Sequence, residues 1–306
     1  MTTFVFGHKA PDTDSTGSAL IWAWYLSQVK GQRAEARLLG RPNTEAAFVI
    51  KRWGFDTPQI INDVADDQPV VIVDTNNPAE LPANINGADI RAIIDHHKLV
   101  GGLETKGPIN ITIRPLACTA TIMHNLMGAN ADQMTDPVKG LMLSCILSDT
   151  LEFRSPTTTD QDRALGQKLA ADLGISIPEY AAEMFAAKSD VSAFSAAELL
   201  RMDSKEYEIE GVKFRISVLE TTSPKTVLDR KSELMEAMPA VAGADKVNEV
   251  LLFVVDILNE EATLLVPNDL TKRVAQASFG ATVTGDTVVL PGVMSRKKQI
   301  IPNLKL

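Results

Sequence analysis

IRAIIDHHKLV, residues 90–100, is an apolar run that stops on an acid followed at once by two histidines. Its first part, IRAIID (90–95), has the length and isoleucine content of a strand buried on both faces. Working outward, PVVIVDT (69–75) and TFVFG (3–7) have the same character. Between them, SALIWAWYLSQV (18–29) and TEAAFVIKRWG (44–54) carry apolar residues at helical spacing. Strands alternating with helices predict a doubly wound α/β domain with a mainly parallel sheet. Further helical patterns follow at 119–128, 137–148, 160–173 and 178–188.

Beyond AAKSDVSAF (186–194) the pattern changes. A strand-like EYEIEGVKFRISVLET (206–221) is followed by a long helix near 224–238. Two apolar runs, EVLLFVVDIL (249–258) and ATLLV (262–266), flank an acidic turn in the manner of a hairpin. The chain thus divides into a domain at 1–188 and a smaller α/β domain at 194–306, with a linker near 188–193. A length of 306 residues suits two domains.

Composition narrows the function. The formal charge is −9, and a phosphate backbone or an anionic membrane is held by clustered Lys and Arg, so neither is the expected partner. An anionic substrate must instead be met by metal ions or by a few focused basic residues. Cys118 and Cys145 lie in apolar surroundings and read as buried thiols of a reducing compartment. No apolar run approaches the ~20 residues that span a bilayer. MTTFVFGHKA (1–10) lacks the basic-then-apolar pattern of a signal peptide, so a cytoplasmic protein is expected.

Ligands of open α/β sheets gather at the carboxyl ends of the strands. After the first strand come His8, Asp12 and Asp14; after the second, Asp74; after the third, Asp95, His96 and His97. Asp149 follows the apolar helix GLMLSCILSD. Singly, each acid has a plainer reading as a helix cap or turn former. The fourth histidine, His124, lies mid-helix without acid neighbours and reads as structural. Together, imidazoles and carboxylates suit Mn²⁺ or Co²⁺, whereas Mg²⁺ prefers oxygen and water. Such a set exceeds the needs of one ion. Two ions ~3.5–4 Å apart, bridged by a carboxylate, serve in-line attack at phosphorus.

His8-x-x-x-Asp12-x-Asp14, Asp74, Asp95-His96-His97 and Asp149 resemble the four signature motifs of the DHH phosphoesterase superfamily. SRKKQIIP (295–302), ACTAT (117–121) and SDTLEFRSPT (148–157) resemble the manganese-dependent, family II inorganic pyrophosphatases. The resemblance covers essentially the whole chain. Glu152 departs from it, standing where an apolar residue is expected.

The resemblance implies hydrolysis of pyrophosphate to two orthophosphates by a two-metal mechanism, with a metal-bridging water as nucleophile. It implies His8 and Asp12 as ligands of one Mn²⁺ (or Co²⁺), Asp14, His96 and Asp149 as ligands of the other, and Asp74 as the bridge. Additional Mg²⁺ would arrive with the substrate. His97 would contact the substrate or donate a proton, and Asp95 would orient a histidine. Lys205, Arg296 and Lys297 would bind pyrophosphate from the second domain, placing the site in the cleft between domains. A homodimer formed through the N-terminal domain is implied as well. The alternative is a phosphodiesterase or exopolyphosphatase of the same superfamily. The glycine-rich GGGH-type motif of its nucleases is missing, since the only GG stands at 101–102.

Overall fold

A computed structural model describes residues 1–306, which form two compact units, Met1–Lys188 and Ser189–Leu306. The first unit is built on β1 (Thr3–Phe6), β2 (Ala34–Ala36), β3 (Pro69–Val73), β4 (Asp89–Asp95) and β5 (Asn110–Ile113). They lie in the order β2-β1-β3-β4-β5, every neighbouring pair parallel. All five residues of β3 are buried, as an uninterrupted Val/Ile run in a central parallel strand requires. The chain leaves β1 for β2 on one side and returns to β3 on the other. That reversal opens a crevice at the carboxyl ends of β1 and β3.

Helices α1 (Thr13–Trp24), α2 (Thr44–Arg52), α3 (Thr119–Met127), α4 (Asp136–Asp149), α5 (Asp160–Leu173) and α6 (Ile177–Lys188) complete the unit. The helix expected at 18–29 begins earlier, at Thr13, because the Asp12 carboxylate accepts from the Ser15 amide and caps it. It gives way at Tyr25–Val29 to a wider helical turn. α4 is apolar around its whole circumference and buried from Gly140 to Ser148, the pattern of a helix surrounded by other elements. α1 approaches it at Gly17, where a Cβ would sit 2.3 Å from Cys145 Sγ. No larger residue fits there.

The second unit contains α7 (Ala196–Met202), β6 (Ser204–Ile209), β7 (Val212–Thr221), α8 (Pro224–Leu228), α9 (Lys231–Asp245), β8 (Glu249–Asp256), β9 (Glu261–Leu265), α10 (Asp269–Phe279) and β10 (Thr287–Pro291). Its sheet runs β10-β9-β8-β7-β6; only the β7–β8 pair is parallel. β8 is buried throughout, and its side chains alternate between two cores. Leu251, Phe253 and Val255 join the core that includes Phe214 and Leu264, while Val250, Leu252 and Val254 join Leu234 and Met238. β8 and β9 form the expected hairpin.

Two expectations need correction here. The strand-like segment 206–221 is a hairpin turning at Glu210 and Gly211, both at positive φ (51° and 82°). The helix expected at 224–238 is two helices. It breaks at Arg230, whose guanidinium donates to the Val191 and Phe194 carbonyls and pairs with Glu233. Beyond the break α9 runs through Pro239 to Asp245.

Candidate metal centre

The crevice depends on a residue without a side chain. A Cβ on Gly7 would stand 2.0 Å from Ser15 Oγ and 3.0 Å from the Val73 carbonyl oxygen. With glycine there, β1 passes close to β3, and Ser15 Oγ accepts from the His8 amide at 3.1 Å. His8, Asp12 and Asp14 are thereby delivered to the end of β3. Asp74 follows that strand in the left-handed region, φ 57°, a conformation Asp tolerates better than most residues. Its amide donates to the Ile94 carbonyl at 2.9 Å, tying it to β4.

The Asp74 carboxylate is 2% exposed and faces two imidazoles with its two oxygens. Oδ2 lies 3.4 Å from His8 Nε2, and Oδ1 lies 3.4 Å from His96 Nε2. Asp12 Oδ2 is 3.7 Å from His8 Nε2, while its other oxygen caps α1. Asp149 Oδ2 is 4.0 Å from His96 Nε2. His8, Asp12 and Asp74 form one group of converging ligand atoms; Asp14, His96 and Asp149 form a second; His97 joins Asp74 and His96 in a third.

Asp14, His96 and His97 are each held by hydrogen bonds from the surrounding chain. Asp14 Oδ2 accepts from the Thr119 amide at 2.7 Å, and Oδ1 from Ser18 Oγ and the Ala120 amide at 2.9 and 3.3 Å. A carboxylate of α1 thus caps α3, where Cys118 makes no side-chain cap of its own. Thr119 Oγ1 turns the other way and donates to Asp74 Oδ1 at 3.0 Å. His96 Nδ1–H donates to the Leu116 carbonyl at 3.1 Å, which leaves the Nε2 lone pair for the centre. His97 Nδ1 meets Asp95 Oδ1 at 2.9 Å, and the same oxygen accepts both histidine amides. Asp95 is 0% exposed, and its other oxygen accepts from Asn76 Nδ2 at 2.5 Å.

Electrostatics mark the cluster as short of positive charge. Burial disfavours the imidazolium of His8, yet Asp12 and Asp74 overcome it and push its pKa up to about 10. His96, buried but beside Asp74 and Asp14, is raised to about 9. Burial and the neighbouring Asp74 lift Asp14 to about 6. Burial and Asp14 push Asp149 well above the usual carboxylate range. Burial opposes ionisation of Asp74 as well, but the two imidazoles outweigh it and hold its carboxyl below that range. Protons are the only counter-charge these side chains have among themselves. Asp149 Oδ2 is buried and has no hydrogen-bond partner. A buried orphan oxygen costs about 1–3 kcal/mol and calls for a cation. The mixed oxygen–imidazole donor set fits a transition-metal dication.

A cavity of about 520 Å³ opens over the cluster, lined also by Leu116, Ala117 and Thr157. A larger hollow of the same unit, about 970 Å³ beside Trp22, Tyr25 and Arg91, touches none of the clustered ligands. Glu152 sits outside the cluster: Leu151, Glu152 and Phe153 turn in the left-handed region, and Glu152 pairs with Arg154 at 2.9 Å. His124 lies on α3, away from the centre, and burial lowers its pKa.

Lys205, Arg296 and Lys297 belong to the second unit, where with Asp203, Tyr207 and Ser295 they line a hollow of about 610 Å³. Arg296 is fixed by Asp203, donating to its carbonyl at 2.8 Å and to its carboxylate at 2.7 Å. Asn76, Ser18, Thr119 and the Leu116 carbonyl were not singled out from sequence. Ser18 could have been, since it stands one helical turn from Asp14.

Comparison with known proteins gives the cluster a family. Residues 2–148 match the DHH family N-terminal domain, and residues 182–306 match the DHHA2 domain. A Deinococcus radiodurans protein is 40% identical over 98% of this chain and 97% of its own length. A Shouchella clausii protein is 37% identical over 99% of this chain and 96% of its own length. Both are named probable manganese-dependent inorganic pyrophosphatase. A solved structure, the putative family II inorganic pyrophosphatase of Methanococcus jannaschii, is 33% identical with a TM-score of 0.61, covering 99% of this chain and 98% of that one. The chain belongs to the manganese-dependent, family II inorganic pyrophosphatases of the DHH superfamily.

Proposed function

We propose that this protein hydrolyses inorganic pyrophosphate to two orthophosphates at a centre for two Mn²⁺ or Co²⁺ ions, with Mg²⁺ accompanying the substrate. The observation that carries the reading is Asp74, whose two oxygens each face a different histidine at 3.4 Å. His8 and Asp12 would hold one ion, Asp14, His96 and Asp149 the other, and Asp74 would be shared between them. When bound, such ions neutralise phosphate oxygens and make water acidic enough to attack at neutral pH.

His97 supplies the proton. Asp95 fixes its Nδ1–H and, as the main cause, raises its pKa despite partial burial. The imidazolium is favoured, and the half-exposed Nε2–H is free to donate to the departing phosphate. Asp74 holds no proton at neutral pH, as a bridging ligand requires. In the second unit, Arg296 is preset by Asp203 to present a guanidinium to phosphate oxygens, with Lys205 and Lys297 as point charges. The reading extends to a cytoplasmic homodimer paired through the first unit. It is what membership of the family implies; no helix of the chain is long and apolar enough to cross a membrane.

The test is phosphate release by metal-stripped protein reloaded separately with Mn²⁺, Co²⁺, Mg²⁺ or Zn²⁺. Pyrophosphate with Mn²⁺ or Co²⁺ is expected to give the fastest release. Comparable release from polyphosphate or a short oligonucleotide would move the assignment to a sister activity of the superfamily.

A further inference from the structure

Glu45 is a fully buried acid that the proposed chemistry does not use. It sits in the first turn of α2, capped by Asn43. Its Oε2 accepts from Thr13 Oγ1 at 3.0 Å and from Ser148 Oγ at 2.8 Å, and Lys188 Nζ lies 3.4 Å away. Its Oε1 is buried without a partner. Thr13 stands between Asp12 and Asp14, and Ser148 immediately precedes Asp149. One carboxylate oxygen therefore ties the entry of α1 to the last turn of α4. Cys145 adds a second tie between the same segments, its thiol donating to the Thr13 carbonyl at 3.4 Å.

A buried acid with an unsatisfied oxygen is a costly way to fill core space, and an apolar side chain of the same volume would be cheaper. What it supplies is placement. Asp14 and Asp149 approach the same histidine from different helices, and Asp149 Oδ2 is buried with no hydrogen-bond partner to hold it. Its position is set by where α4 ends.

We infer that Glu45 is a positioning residue: by bonding Thr13 and Ser148 together it fixes the spacing between the Asp12–Asp14 turn and Asp149, and so the affinity of the ion held by Asp14, His96 and Asp149. The inference rests on the two-ion reading of the site, and Mn²⁺ titration of the metal-stripped protein separates the two. Wild type is expected to bind two Mn²⁺ with the electron paramagnetic resonance spectrum of a coupled pair. Glu45→Ala should weaken one of the two ions by roughly 10–100-fold, the range for residues that orient ligands, and alter the coupled spectrum. Glu45→Gln, which can still bond both hydroxyls, should recover most of the affinity. Thr13→Val and Ser148→Ala each remove one donor with little change of shape, so they carry the test if Glu45→Ala does not fold. Unchanged affinity and spectrum in the foldable variants, whatever happens to the melting temperature of the metal-free protein, would overturn the inference. Fewer than two Mn²⁺ in wild type would overturn the two-ion reading and this inference with it.

Discussion

In the first unit Asp14 accepts three hydrogen bonds and is 1% exposed, whereas in the second the ammonium groups of Lys205 and Lys297 are exposed and make no hydrogen bond or ion pair. Arg296 stands between these extremes, anchored by Asp203 yet lining an open hollow. On the proposed reading, the contrast follows from what each set of groups would hold. Ions need several donors at fixed distances, so the carboxylates and imidazoles are locked from behind by amides, hydroxyls and carbonyls. A phosphate has many equivalent oxygens and accepts positive charge from several directions, so long flexible side chains suffice. Preorganisation resides in the first unit and adaptability in the second.

The sharpest way to break this comparison is Asp74→Asn. Asn tolerates the left-handed backbone at φ 57°, so the substitution tests charge rather than strain. Both Mn²⁺ affinities should fall, and kcat/KM should drop by more than the roughly 100-fold upper range for ligand-orienting residues. A loss confined to one ion would remove Asp74 from the bridging position.

Arg296→Ala should come next. A charge-assisted hydrogen bond lost from substrate is worth about 1.5–3 kcal/mol, roughly a 10–150-fold fall in kcat/KM. Calorimetry should find Mn²⁺ affinity unchanged; if metal is lost instead, the division of labour between the units fails. Asp95→Asn should cost roughly 10-fold or more in kcat while both ions stay bound, because it loosens the His97 ring, whereas its contact with His96 is to the backbone amide, which an Asn oxygen can still accept. A matching loss in Asp95→Asn and Asp74→Asn would argue that the two acids do the same job. The smallest effect is expected for Lys205→Ala, less than about 10-fold and shrinking as salt is added, since an exposed charge is screened. A salt-independent loss would mean that Lys205 is held more firmly than its exposure indicates.

The central strands β3 and β8 could be read from the sequence because burial on both faces leaves an uninterrupted apolar run, and β4 because its last half, Ile93–Asp95, is buried the same way. The short edge strands β2, β5 and β10 could not. Ala34–Ala36 has no strand-forming residue and is extended because β1 offers it a parallel partner. The clustered acids and histidines were visible because strand ends in this fold converge and ligands need particular side chains. What holds them was hidden, since the Leu116 carbonyl and the Thr119 amide are groups that every such residue carries. Glu45 stands in the first turn of α2, where an acid is commonplace in sequence. Only packing shows that it faces Thr13 and Ser148 rather than water.

The clustered ligands also have a consequence for how long the protein survives. They come from four stretches of chain, beginning just after β1 and ending at the last residue of α4, and they meet only when the first unit is folded. An ion that binds the folded chain alone pulls the folding equilibrium toward it, by about 2.7 kcal/mol when free metal is a hundred times its dissociation constant. Local opening at any of the four stretches must then release metal before a protease can reach it. If the cluster holds manganese as proposed, manganese supply would set turnover: a starved cell would hold fewer copies of this chain as well as less active ones.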